Sequence, residues 1–328
     1  MATSFECSND NGYASIPMSK SSSSASNTTV PTSPEETSLI KGTEDISLTT
    51  GLKNICPQPF ETILNFGKIV QSRCDELKKS DSTQQYLVFT GVNTVDLTEI
   101  DRALEKMRIH TRMAHYIDEN LLIVKFPTAK HEAAHLQFGQ QVDRRVAQMG
   151  ISSFEFQSLG GTRFQGRSSS KEADSAFKPD SLRPNEADWP TIVFEAGLSE
   201  SLSRLRLDAN WWLTESRGDV KTVIIISVKP AKPILHIEKW ELASPGPRPN
   251  TRAFSTLNNP PPPPQIPTQI QVITIDPNTV IGAPLVLEFA KIFLRSAVPP
   301  ESDITFTAQE LLTLAAKIMK WYTKGSMV

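Results

Sequence analysis

Cysteine is scarce: Cys7, Cys56 and Cys74 are the only three in 328 residues, and none forms a Cys-x-x-Cys pair. An odd, widely spaced set argues against a disulfide framework or a thiolate zinc site, and fits a reducing compartment. Long apolar runs are missing too, none approaching the ~18 residues that cross a bilayer. The opening residues lack a basic flank followed by an apolar core, so no secretory leader is expected. Nor is there an excess of either charge. With 34 Lys+Arg against 36 Asp+Glu the formal net charge is -2, which excludes a whole-protein electrostatic grip on nucleic acid but leaves room for a local basic patch. Hydrophobic residues amount to 38%, low enough that part of the chain is expected not to fold. The expectation is an intracellular protein, cytoplasmic or nuclear, with no membrane partner.

What is present is unevenly spread. The first fifty residues hold twenty Ser or Thr and few apolar clusters, so 1–55 reads as a disordered tail that cannot offset its ordering entropy. From about residue 85 the pattern becomes that of a folded domain running to 328. Tyr86 to Phe89 have strand composition, and Asp96 with Glu99 three residues on predicts a helix through Met107. Residues 112–116 and 121–126 flank a turn-rich Asp118-Glu119-Asn120 and predict a hairpin. His135, Phe138, Val142 and Met149 lie at helical spacing over 128–149, with Gly150 as the stop. Short strands are expected at 154–159, 163–165 and 173–177, then a doubly buried strand at 191–195. A helix over 199–216 buries Leu205, Ala209 and Trp212, and strands follow at 220–228, 234–242 and 269–275. Residues 245–267, with five consecutive prolines from Pro260, read as a stiff loop. Thr307 and Glu310 form a capping box for a last helix to about Tyr322. The sum is an α/β fold, a mixed sheet flanked by helices.

Three constellations could carry chemistry. His131-Glu132-Ala133-Ala134-His135 matches HExxH, which sets two imidazoles on one helical face with Glu132 as a general base for a zinc peptidase; packing or capping is the alternative. Gly197-Leu198-Ser199-Glu200-Ser201 resembles a nucleophile elbow, although Ser201 stands where that motif closes on glycine, and Ser199 serves equally as a helix N-cap. Asp174 and Glu195 are acids on neighbouring strands, and Glu195 interrupts an apolar run where a carboxylate is costly unless paired or metal-bound. Two such acids could ligate Mg²⁺ through oxygen and so activate water toward a phosphodiester.

At these residues the sequence resembles the PD-(D/E)XK, or restriction-endonuclease-like, superfamily, and more closely a group of uncharacterised fungal proteins. The resemblance rests on Lys171-Glu172-Ala173-Asp174, on 190–201 and on Asp208-Ala209-Asn210-Trp211-Trp212-Leu213, within about 114–242. It implies a restriction-endonuclease-like core of helix, three strands, helix and strand, and a metal-dependent nuclease. Asp174 and Glu195 would hold Mg²⁺, and Glu132 would be an auxiliary acid on the first helix. The signature lysine is Gly197 here, so Arg206 or Lys221 would have to stand in, with Lys229 a further candidate. That departure makes a non-catalytic binding or scaffold protein the alternative. Arg163, Arg167, Lys171 and Lys178, with Arg183 nearby, could contact phosphates of a nucleic-acid partner; a solvated mixed-charge loop is the competing reading.

Overall fold

The computed structural model describes residues 48–52, 55–79, 84–198, 202–229, 232–244 and 264–323. Most of the tail expected at 1–55, most of the proline-rich stretch and Ser199 to Ser201 lie outside the described residues. In chain order the elements are β1 (Gln58–Pro59), α1 (Ile63–Lys78), β2 (Tyr86–Thr90), α2 (Thr94–Met107), β3 (Arg112–Tyr116), β4 (Leu121–Lys125) and α3 (Ala129–Gln148). Then come β5 (Phe156–Ser158), β6 (Arg163–Gln165), β7 (Ser169–Glu172), β8 (Ser175–Pro179), β9 (Ile192–Leu198), α4 (Leu202–Glu215), β10 (Thr222–Lys229) and β11 (Ile234–Ala243). The chain closes with β12 (Ile266–Ile275), β13 (Val280–Ile281), β14 (Leu285–Leu287), α5 (Phe289–Phe293), β15 (Ile304–Phe306) and α6 (Ala308–Thr323).

Two sheets organise these elements. One has the order β1-β2-β4-β3-β7-β6, the other β13-β12-β11-β10-β9-β8-β5, with β14 and β15 as a separate pair. In the seven-stranded sheet β5, β8 and β9 run antiparallel in turn, and α4 carries the chain from β9 to its parallel neighbour β10. With α3 in front, this is the helix, three strands, helix, strand order expected of a restriction-endonuclease-like core, and the fold is mixed α/β with helices on the sheet. Strand alternation sends Ile192, Phe194 and Ala196 of β9 into a core with Ala134, Phe138 and Val142 of α3. The opposite face carries Val193 and packs under Leu205, Ala209 and Trp212 of α4.

Several boundaries differ from expectation. The folded unit begins at Thr49, not near residue 85. Helix α1 buries Phe66 and Val70 against Ile100 and Leu104 of α2, an apolar stripe that the sequence carries at helical spacing. The N-cap of α2 is Asn93, whose side chain accepts from the Asp96 amide at 3.0 Å while Asp96 answers the Asn93 amide at 2.9 Å. Asp96 is thus the third helical residue of a capping box, three positions on from the cap. Strand β12 starts at Ile266 and includes Pro267. Among the described residues β13 pairs with Thr274 and Ile275 of β12, and Pro267 lies opposite Leu242 of β11 near the start of its strand, a position proline tolerates.

Candidate functional site

The site lies where the chain steps from one sheet to the other. Strand β7 belongs to the six-stranded sheet and β8 to the seven-stranded one, and Ala173-Asp174 is the whole link between them. Asp174 therefore stands at the junction, beside Glu195 in the middle of β9, whose alternation aims it with Val193 toward α4. Both acids line a cavity of about 20 Å³, with Asp208, Lys125, Lys171 and Arg204 around them. That volume admits about one water.

Every acid in this cavity is engaged. Asp174 Oδ2 accepts from Lys125 Nζ at 2.9 Å, from the Ala196 amide at 2.8 Å and from His131 Nε2 at 3.1 Å. Lys125, the last residue of β4, also donates to the Ala196 carbonyl at 2.8 Å, which ties the first sheet to the second. Trp212 Nε1–H donates to Glu195 Oε1 at 2.6 Å, and Lys171 Nζ stands 3.6 Å from the same oxygen. Asp208 Oδ1 takes Lys171 at 3.0 Å and Arg204 at 2.9 Å. Burial alone would raise the Asp174 carboxyl, but His131 and Lys125 outweigh it and hold it well below the usual carboxylate range. Asp208 is likewise lowered against burial by Arg204 and Lys171. Glu195 goes the other way: burial pushes it up to about 7, Lys171 offsets only part, and Asp174 and Asp208 add to the rise.

As arranged, this donor set does not fit Mg²⁺. A hard divalent cation needs about six oxygens and keeps several waters. Here four acids and four cationic side chains line a space for one water, and the key oxygen of Asp174 already has three donors. The resident cations occupy the role the metal was expected to play.

The other expected residues scatter. Arg206 lies on the outer side of α4 and pairs with Glu238 on β11 at 2.7 Å. Lys221 donates to the Gly218 carbonyl just before β10. Glu132 is on α3 as anticipated, but it faces His131 and His135 and does not line the cavity of Asp174 and Glu195. The basic patch is not assembled. Arg163 pairs with Asp101 and Glu172, Lys171 is buried in the ion-pair cluster, and Lys178 is buried with its amine on the Asn185 carbonyl. Arg183 reaches the carbonyls of Trp189 and Asp219, which leaves Arg167 as the exposed member of the set. Arg163 and Lys171 sit on the paired strands β6 and β7 and Lys178 on β8, so these long side chains turn inward or pair.

Lys125, Arg204 and Asp208 were not foreseen as site residues. Each left a trace: Lys125 closes the apolar run 121–124, and Arg204 and Asp208 sit at i, i+4 on the helix face that carries Leu205, Ala209 and Trp212. The zinc-peptidase reading fails on geometry, because Glu132 Oε1 stands 3.3 Å from His135 Nε2, among the ligand atoms where a general base would be held apart. Ser199 lies outside the described residues, and His236, the histidine a serine triad would need, is 3.0 Å from Glu238 and engaged with Thr274. Cys74 is a half-buried free thiol. Among the described residues no helix is long and apolar enough to cross a membrane.

No family model matches this chain, and no curated protein does. Among solved structures it is similar to a DUF820 protein of Anabaena variabilis, provisionally assigned as a nuclease, at 11% identity over 63% of this chain and 92% of that one, with a TM-score of 0.35. At that level of likeness the site has to be read from its own geometry.

Proposed function

We propose that this chain is a non-catalytic binding or scaffold protein on a nuclease-type α/β core, its two signature acids serving as the ion-pair junction between two sheets. The observation that carries this reading is the single oxygen of Asp174, which accepts from Lys125, His131 and the Ala196 amide at once. An oxygen so saturated, with a side chain 1% exposed, is poorly placed to take a metal or meet a phosphodiester. Buried charge of this kind fixes how elements meet and adds little net stability.

A second reading, a metal-dependent nuclease with Mg²⁺ at Asp174 and Glu195, draws on one observation. Lys171 lines the same cavity as both acids and supplies the cation that Gly197 lacks. Phosphodiester hydrolysis would then require the junction to open.

One assay separates the two. The full chain, with Mg²⁺ or Mn²⁺, is incubated with DNA and with RNA beside Glu195→Ala and Lys171→Met. The scaffold reading expects no metal-dependent cleavage in any of the three. Cleavage by the native chain that disappears in both variants would overturn it in favour of the nuclease.

A further inference from the structure

The HExxH segment of α3 is left over from that reading, and its geometry is unusual. His131 Nδ1, Glu132 Oε1 and His135 Nε2 all lie within 4.8 Å of one another. All three atoms are buried, and none has a hydrogen-bond partner. Glu132 Oε1 is 3.7 Å from the first nitrogen and 3.3 Å from the second. Zinc bonds of about 2.0–2.2 Å put tetrahedral ligand atoms roughly 3.3–3.6 Å apart, so the two spacings to Glu132 Oε1 are close to those of a filled site.

The opposite edges of both rings are already held. His131 Nε2 faces two acceptors, Asp174 Oδ2 at 3.1 Å and the Ala196 carbonyl at 2.9 Å, so it carries a proton. His135 Nδ1 is 2.7 Å from Ser175 Oγ. A histidine that gives one N–H to a carboxylate, carbonyl or hydroxyl and turns its other nitrogen inward is the usual supporting arrangement around a metal. Without a metal, a proton on His131 Nδ1 would face Glu132 Oε1 across this gap, so zinc would take the place of that proton and bring two imidazole nitrogens and a carboxylate oxygen onto one ion, away from water.

We propose that His131 Nδ1, Glu132 Oε1 and His135 Nε2 form a zinc site on α3. The two-nitrogen, one-oxygen set suits a borderline transition cation such as Zn²⁺ over Mg²⁺. Both imidazoles are almost fully enclosed while the Glu132 side chain is 29% exposed, which gives the ion its way in. Glu132 is a ligand in this arrangement, so the site is structural and no hydrolysis is assigned to it. The ion would pin α3 to β8 through Ser175 and to β9 through the Ala196 carbonyl.

The test uses the full chain, purified without chelator, then stripped and titrated with ZnCl₂ while bound metal and thermal midpoint are measured. The expected result is about one zinc per chain and a midpoint that rises with free zinc, since a ligand that binds only the folded state stabilises it. Glu132→Gln and His135→Asn should weaken zinc binding by more than about 100-fold, and Ser175→Ala by about tenfold, as for loss of a supporting partner. Should His135→Asn fail to fold by circular dichroism, Glu132→Gln, on the solvent side, decides the matter alone. Absence of zinc binding would mean that a proton fills the gap and would overturn the proposal. So would zinc bound equally well by Glu132→Gln.

Discussion

Asp208 shows what a single buried charge does here. It faces Lys171 and Arg204, both nearly enclosed, so replacing it removes the carboxylate oxygen that two buried cations share. Asp208→Ala is expected to destabilise the fold by about 3–5 kcal/mol, the usual cost of breaking a buried pair from one side, as read from the urea midpoint. Glu238 gives a pH signature. Burial would raise its carboxyl, but bonds from His236, Arg206 and Trp240 outweigh it and hold it at about 2. A carboxyl lowered from about 4.5 contributes stability that is complete above that value and lost as pH falls toward 2. Acid unfolding in the native chain should therefore steepen through that window, and Glu238→Gln should flatten it; equal slopes would disprove the assignment. At this scale the sequence announced the acids better than their partners. Glu195 stood out because a carboxylate in an apolar strand demands an explanation. Lys125 did not, because it meets Asp174 across 49 residues of chain and no local pattern encodes that meeting.

Elements with their own period were legible before any coordinates. The hairpin of β3 and β4, the long helix α3 and the capping box of α6 all fall within a residue or two of expectation, since each is specified by neighbours three, four or two positions apart. What escaped was the step from β7 to β8. The chain changes sheets at Ala173-Asp174 with no glycine or proline to mark it, so 173–177 read as one strand. Turns with a steric demand are a different case. Gly282 follows β13 at φ 90°, and a methyl group there would run into the Val272 carbonyl oxygen of β12. Gly282→Ala is expected to cost at least the ~1–3 kcal/mol typical of such backbone strain, and to loosen the β12–β13 pairing as seen by amide exchange. Trp212 is the corresponding test on α4. Trp212→Phe keeps most of the packing and deletes the donor to Glu195, so a loss of about 1–3 kcal/mol is expected in thermal or urea unfolding.

For the molecule as a whole, the order α3, β5, β8, β9, α4, β10 was readable as a sequence of elements. The existence of a second sheet was not, because β6 and β7 leave the core strands to join β3, far upstream. Lys125, on the first sheet, is anchored on both Asp174 and the Ala196 carbonyl of the second. Unfolding of the described unit is expected to be a single transition, with the emission of its five tryptophans coinciding with far-ultraviolet dichroism. Separate transitions would mean that the junction does not couple them.

That junction also limits how the protein can be taken apart. An excised fragment beginning at α3 would contain every element of the helix, strand, helix, strand arrangement and would keep His131 and the Ala196 amide on Asp174, yet leave behind on β4 the ammonium of Lys125 that shares the same oxygen. Anyone transplanting this core into another host, or trimming it to a minimal version, would have to bring Lys125 along or replace Asp174 with an uncharged side chain in the same step.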